Sequence, residues 1–390
     1  MKLFKETNID FIGRRNHFLL LSLALFLAGA ASLVLKGGPK FGIDFKGGTL
    51  VYVKFAEAPR LDEIRKALTE QGLDVATLQP FEEDAGSYEL KIDLNLTEGE
   101  AMASGQDEIV ETLRGIHGGD ESKLDFNNVG LETLADRVIS NPKIAESALT
   151  SEQITEGVEA LLAFRDEAPQ SGLLTDFSRL TSVSGVNPDI ISALQEETYL
   201  GAYAIRGGGY VGPKIGKELQ WQAAQATLFA LGGMLVYIAF RFEWIYGVAA
   251  VAAVAHDVLI TIGFFSIFDR EIELTAVAAF LTLVGYSMND TIVIFDRVRE
   301  NRKLTRRQPL ASLLNLSVNQ TLARTVLTSG LTLLAIACLL IFGGEVLRSF
   351  SFALFVGVIV GTYSSVFVAS PILLWWQDLA GARAGRGRHA

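Results

Sequence analysis

The sequence predicts an α-helical membrane protein with six spans that carries one soluble α+β domain. Two patterns predict it: apolar segments long enough to cross a bilayer, and an acidic block set just after the first of them. The 390 residues are 49% hydrophobic and 20% charged. From Gly37 to Glu218 there are 16 Lys and Arg against 32 Asp and Glu, a net of −16. The remainder holds 18 against 12, a net of +6. Domain boundaries follow: 1–17 at the N-terminus, 18–36 as the first span, 37–218 as the soluble domain, 219–376 as spans two to six, and 377–390 as a basic tail.

The six apolar segments are Phe18–Leu35, Ala223–Phe240, Ile245–Phe268, Leu274–Phe295, Thr325–Phe342 and Phe350–Trp375. The last is long, which implies tilt or an interfacial end. Lys2, Lys5, Arg14 and Arg15 precede the first, and Arg241 separates the second from the third. Arg297, Arg299, Arg302, Lys303, Arg306 and Arg307 link the fourth to the fifth, and Arg383, Arg386 and Arg388 follow the sixth. Positive charge therefore alternates sides, placing both termini in the cytoplasm and the acidic block outside. Ala28-Gly29-Ala30 fits a signal-peptidase site, but the apolar run continues to Leu35, so a retained anchor is expected. Cys338 is the only cysteine, so no intrachain disulfide forms.

Within the acidic block, Gly48–Phe55 reads as a strand and Arg60–Gln71 as a helix with Leu61, Ile64 and Leu68 on one face. Asp74–Phe81 and Tyr88–Leu96 read as strands, Gly105–Ile116 as a helix, and Tyr199–Gly208 as a last strand. The order β-α-β-β-α-β is that of a ferredoxin-like sandwich. An interruption at about 118–197 has no strand signal and reads as three or four short helices, with turns at Ser140–Lys143 and Glu167–Gly172. Leu180–Leu194 has some likeness to a helix-hairpin-helix, but an acidic domain lacks the basic footprint that nucleic acid requires, so an αα-hairpin packed on the sandwich is expected.

Nothing points to an enzyme. Gly212–Glu218 lacks the spacing and the Ser/Thr of a phosphate loop, and His17, His117, His256 and His389 form no metal-ligand pair. No nucleophile signature occurs, so no cofactor or resident metal is expected.

The informative residues are charges inside apolar segments. Asp290, with Asn289 beside it, lies about six residues before the basic link, roughly 9 Å deep. Arg324 lies just past that link, so the two reach similar depth on consecutive spans and are expected to pair. Arg324, Thr328 and Thr332 recur every four residues on the fifth span, and Thr282, Tyr286 and Asn289 line the fourth; both stripes are expected to face the bundle interior. A static salt bridge explains the pair but not the stripes; a proton site, where desolvation and a guanidinium act in opposite senses on an acid, explains both. His256 and Asp257, mid-way along the third span, read either as a proton relay or as groups satisfied by neighbouring helices. Asp296 and Arg297 lie where snorkelling to water is easy. Ala353, Gly357, Gly361, Ser365 and Ala369 form a small-residue ladder on the sixth span that permits close helix packing, against its own bundle or a partner.

Five ordered stretches carry a resemblance: Phe41–Leu50, Val211–Leu219, His256–Phe265, Val284–Asn301 and Asn319–Ala335. Together they resemble the SecF family of bacterial protein-export membrane subunits, related to the resistance–nodulation–division (RND) transporters. The likeness covers about Phe11–Asp125 and Tyr199–Trp376 and leaves out the helical interruption. It implies a six-span RND/SecDF-type bundle that pairs with SecD, associates with the SecY channel complex, and uses a proton or sodium gradient to draw unfolded preproteins outward. It also implies that Asp290 and Arg324 are the coupling residues, and that Gly42, Asp44, Gly47 and Gly48 form the junction between first span and sandwich. There the glycines permit tight turns, and Asp44 either caps a helix or contacts a neighbouring chain. The alternative functions are a proton-coupled exporter of small molecules or lipids, and a passive assembly scaffold. A channel is disfavoured, because no span carries a charged ring or a carbonyl filter.

Overall fold

The computed structural model describes residues 7–81, 88–95, 102–120, 122–145, 147, 149–241, 244–305 and 308–376. Lys2, Lys5, Arg306, Arg307 and the basic tail with Arg383, Arg386 and Arg388 lie outside the described residues. The first half of the chain runs α1 (Arg15–Leu35), α2 (Ile43–Lys46), β1 (Gly48–Phe55), α3 (Leu61–Glu70), β2 (Asp74–Phe81), β3 (Tyr88–Asn95), α4 (Met102–His117), β4 (Leu124–Asp125), α5 (Leu131–Ile139), α6 (Pro142–Ala145), α7 (Ser151–Asp166), α8 (Pro188–Glu197), β5 (Thr198–Tyr199) and β6 (Tyr203–Val211). Five helices follow: α9 (Pro213–Arg241), α10 (Trp244–Ile267), α11 (Leu274–Leu304), α12 (Leu310–Phe342) and α13 (Gly344–Ser364), the last running on through a π-helical turn at Ser365–Ala369. The chain divides into two compact units, Lys46–Lys217 and the remainder.

In the first of these units, four strands form an antiparallel sheet in the order β2-β3-β1-β6. Strand, helix, strand, strand, helix and strand follow one another along the chain as α3 and α4 intervene. Alternation sets the core face: Val51, Val53 and Phe55 of β1 and Leu90, Ile92 and Leu94 of β3 pack against Ile64 and Leu68 of α3 and Ile109 and Leu113 of α4. The opposite face is not the solvated surface that alternation implies. Lys54, Glu89, Lys91 and Asp93 are all buried there. Arg206 donates to both Glu89 carboxylate oxygens at 3.1 Å, and the Lys54 ammonium donates to the Gln170 carbonyl at 3.3 Å. Charges removed from water persist only when paired in this way.

The interruption is helical, as its sequence predicts, but it also contributes a two-residue parallel ladder between β4 and β5. Its own apolar core gathers Phe126, Leu134, Val158, Leu161, Leu180 and Leu194. The expected αα-hairpin over Leu180–Leu194 is a 3₁₀ turn (Phe177–Ser182) followed by α8, which Pro188 opens and the Asn187 side chain caps. A polar knot ties this layer to the sheet: buried Asn127 accepts from Leu174 N and donates to the Leu174 and Gly201 carbonyls, while Asn128 bonds the backbone of Tyr203 and Ile205 on β6.

In the other unit, five helical stretches are long and apolar enough to cross a membrane, among the described residues: Arg15–Leu35, Trp244–Ile267, Leu274–Leu304, Leu310–Phe342 and Val346–Trp376. The remaining expected span, Ala223–Phe240, lies within α9 and exposes Leu228, Phe229, Val236, Tyr237 and Phe240. The last span is central, with 72% of its apolar window buried; α1 is peripheral, with 11%. Glycine at two facing positions brings α1 against α10: a Cβ at Gly29 would stand 2.7 Å from Gly263 Cα. Ser32 and Ser266 hydroxyls meet at 2.7 Å in the same seam. Beyond it, Lys36 and Lys40 pair with Asp269 in the α10–α11 connection, and the Lys36 hydrogen bond with the Lys40 charge hold that carboxyl below its usual range.

Candidate functional site

α11 carries the site, and its start is fastened by Asp44. The Asp44 carboxylate accepts from Leu274 N–H at 2.8 Å, filling the cap role at a helix terminus where an anion is also favoured by the macrodipole. Gly42 lies beside it because a Cβ there would stand 2.9 Å from Glu273 Cγ, and the Gly42 N–H donates to the Ile272 carbonyl. Gly47 and Gly48 both have positive φ, 79° and 148°, and a Cβ on Gly47 would meet Pro213 at 2.7 Å. The sequence left capping and an interchain contact open for Asp44; within this chain its carboxylate caps α11.

Asp290 is buried, 3% exposed, on the side of α11 that meets α12. Its Oδ2 accepts a hydrogen bond from the Ser329 hydroxyl at 3.0 Å. The expected ion pair with Arg324 is not formed among the described residues. Arg324 is exposed on α12, close enough to act on the carboxylate through space. The reason is azimuth. Ser329 and Arg324 are five residues apart and so point about 140° apart around a helix; equal depth does not give equal direction. The polar stripes correct in the same sense. Thr282 and Asn289 on α11 and Arg324 and Thr328 on α12 are exposed and line the outside of this chain's bundle, while Tyr286 and Thr332 of the same stripes are half-buried and the Tyr286 hydroxyl is enclosed. The inward stripe of α12 is Ser317, Thr321, Thr325 and Ser329, all buried at four-residue spacing.

A second acid is more enclosed. Asp257 on α10 is fully buried. Its Oδ2 accepts from Ser287 of α11 at 2.6 Å and from Ser364 of α13 at 2.7 Å, and its Oδ1 lies 2.8 Å from His256 Nδ1. The small-residue ladder serves this junction. A Cβ on Gly361 would lie 3.1 Å from Ser287 Cβ and 3.4 Å from Asp257 Oδ2, and one on Gly357 would collide with Leu283. Both glycines thus pack α13 against its own bundle. Sequence reasoning reached Asp257 and His256 but missed Ser287, Ser329 and Ser364. For Ser329 the four-residue stripe Ser317, Thr321, Thr325 and Ser329 was a legible signal; for Ser287 and Ser364 the signal was that a buried acid needs a donor on a neighbouring helix.

The chain is 44% identical over 389 residues to the protein translocase subunit SecF of Koribacter versatilis, covering 98% of this chain and 95% of that one. The chain belongs to the SecF family. The SecF of Rhodothermus marinus is 34% identical over 98% of both chains. The family model for the SecD/SecF C-terminal region of protein-export membrane proteins matches residues 192–379, and that for the SecD/SecF GG motif matches 33–58, which contains Gly42, Asp44, Gly47 and Gly48. The crystal structure of SecDF from Thermus thermophilus, described as a translocon-associated membrane protein, superposes with a TM-score of 0.65 at 30% identity, over 96% of this chain and 39% of that longer one. Family membership and the apolar helices together make this a multi-pass membrane protein.

Proposed function

We propose that this SecF-family chain is an auxiliary subunit of the Sec translocase that couples a proton gradient to movement of polypeptide on the outer side of the membrane. It works in a bacterial plasma membrane with SecD and the SecY channel complex, on unfolded preproteins, and catalyses no reaction of its own. In this reading α9 is the second of six spans, both termini are cytoplasmic, and the ferredoxin-like sheet domain with its helical insertion is extracytoplasmic.

The observation that carries the reading is Asp290, an ionisable group buried between α11 and α12 and held by a single hydroxyl. An acid so placed is expensive unless it works. Arg324, Thr328, Asn289 and Thr282 lie exposed in otherwise apolar helices. Lipid is a poor solvent for such a surface, and a second membrane subunit covering it removes the penalty; SecD is that partner. Protonation from outside neutralises Asp290, weakens its hold on Ser329 and its attraction to Arg324, and lets α11 and α12 shift. One charge crossing 100 mV supplies about 2.3 kcal/mol, so each stroke is small and many are needed per exported chain. Asp290→Asn keeps the shape of the side chain and removes the titration. It is expected to assemble with its partner while abolishing gradient-dependent stimulation of export into inverted vesicles; undiminished stimulation would rule the reading out.

A further inference from the structure

We propose that Asp257 is a second proton-exchange site, served by His256, whose ionised form clasps α10, α11 and α13 together and whose protonated form lets go. The proposal rests on the proton-coupled reading above and extends it to a group which that reading does not use.

The clasp is a matter of counting donors. An ionised carboxylate is acceptor-only, and this one receives hydroxyls from two other helices, Ser287 on α11 and Ser364 on α13, with His256 Nδ1 at its second oxygen. Three helices are thereby fastened through one residue with no exposed surface. A protonated Asp257 turns its own donor at Oδ1 toward His256 Nδ1, and Oδ2 becomes an uncharged carbonyl oxygen, so the hydrogen bonds from Ser287 and Ser364 lose the charge assistance that made them strong. Ser364 has an exit, since its hydroxyl also lies 3.2 Å from the Gly361 carbonyl of its own helix. The segment that would move begins at the next residue. Ser365–Ala369 is a π-helical turn, the form in which a helix stores a register change and which is common at functional sites.

The groups that face Asp257 are few. His256 lies beside it on α10, and Tyr363 approaches from α13 with its ring 6.1 Å from the His256 ring, edge to face. α11 presents Ser287, and α1 presents Ser22, bonded to the Tyr363 hydroxyl at 3.1 Å. Asp290, one turn along α11 from Ser287, is directed to α12 instead. His256 Nε2 is buried without a partner among the described residues, so the imidazole has one nitrogen committed to Asp257 and one open to take a proton. In the exchange, a proton on Nδ1 of the imidazolium passes to Oδ1: the N–H bond breaks, its electron pair stays on nitrogen, and neutral imidazole and neutral acid result. Because Ser287 and Asp290 share α11, release at Asp257 frees the helix that carries the first site.

Infrared spectroscopy of the full chain reconstituted with its partner tests this, by following the carbonyl stretch of buried carboxylic acids through a pH titration. The wild type is expected to show two pH-dependent bands. Asp257→Asn removes one of them and Asp290→Asn the other, while His256→Gln slows growth of the Asp257 band after a pH jump. A spectrum unchanged by Asp257→Asn means the residue keeps one ionisation state and overturns the proposal. Should that variant fail to assemble, Ser364→Ala leaves the acid in place and shifts the frequency of its band; no shifted band overturns the proposal equally. Loss of gradient-stimulated export tests Asp290 separately, so either reading can fail without the other.

Discussion

Gly263→Ala adds one methyl group in the seam between α1 and α10, where the new Cβ would lie 2.9 Å from Gly29 Cα. Non-bonded carbons rest at about 3.5–4.0 Å, so α1 must retreat by about 0.6–1 Å. Neither side can yield by a rotamer change, because the opposing atom is backbone. The Ser32–Ser266 hydroxyl contact, now 2.7 Å, stretches past hydrogen-bonding length. Overpacking costs about 1–3 kcal/mol and an interhelical hydrogen bond in a bilayer about 0.6–1 kcal/mol, so about 2–4 kcal/mol is lost. Gly285→Ala is the control, since nothing lies within 4 Å of its added Cβ; there the substitution is expected to stabilise α11 by about 0.5–1 kcal/mol. The assay is disulfide formation between Ser32→Cys and Ser266→Cys in a Cys338→Ala background, read in native membranes alongside thermal unfolding. Yield should fall severalfold with Gly263→Ala and hold with Gly285→Ala. Equal yield and equal Tm in the two backgrounds would refute the close-contact argument.

Asp44→Ala removes the cap from α11 and should cost about 1 kcal/mol in thermal unfolding, while Asp44→Asn recovers most of it. Asn127→Ala deletes three buried hydrogen bonds, two to Leu174 within the insertion and one to the Gly201 carbonyl just before β6; about 2–4 kcal/mol of local stability should go, exposing residues near Leu174 and Gly201 to protease. Burial between Phe55 and Tyr203 holds His117 below its ordinary value of 6.5. The folded domain therefore binds fewer protons than the unfolded chain, so the contribution is complete above about pH 6.5 and is lost as pH falls through the folded value. His117→Gln should flatten that acid-side loss of Tm, and an identical pH profile would count against it.

Period and composition carried much of the architecture. Alternating Leu90, Ile92 and Leu94 placed β3 over Tyr88–Asn95, the expected last residue Leu96 lying outside the described residues, and Leu61, Ile64 and Leu68 placed α3. Among the described residues α4 already runs from Met102, three residues before the expected Gly105, and β6 begins four residues after the expected Tyr199, because Thr198–Tyr199 pairs with Leu124–Asp125 instead. The buried charges on the second face of the sheet were invisible for a like reason: Glu89 and Lys54 alternate as surface residues would, and only the approach of Arg206 and the Gln170 loop shows them enclosed.

Sequence alone determined that helices of this length and apolarity lie in a membrane, that an acidic domain interrupts them, and that Asp257 and Asp290 are acids in the wrong solvent. Those conclusions need only periodicity, length and charge, which are local. Which hydroxyl meets which acid was decided by tertiary structure, because it depends on the rotation of each helix about its own axis. Depth along a helix can be counted in residues. Azimuth is set by packing, as where Gly361 and Gly357 of α13 meet Ser287 and Leu283 of α11; on α12 it leaves Arg324 outward and Ser329 inward.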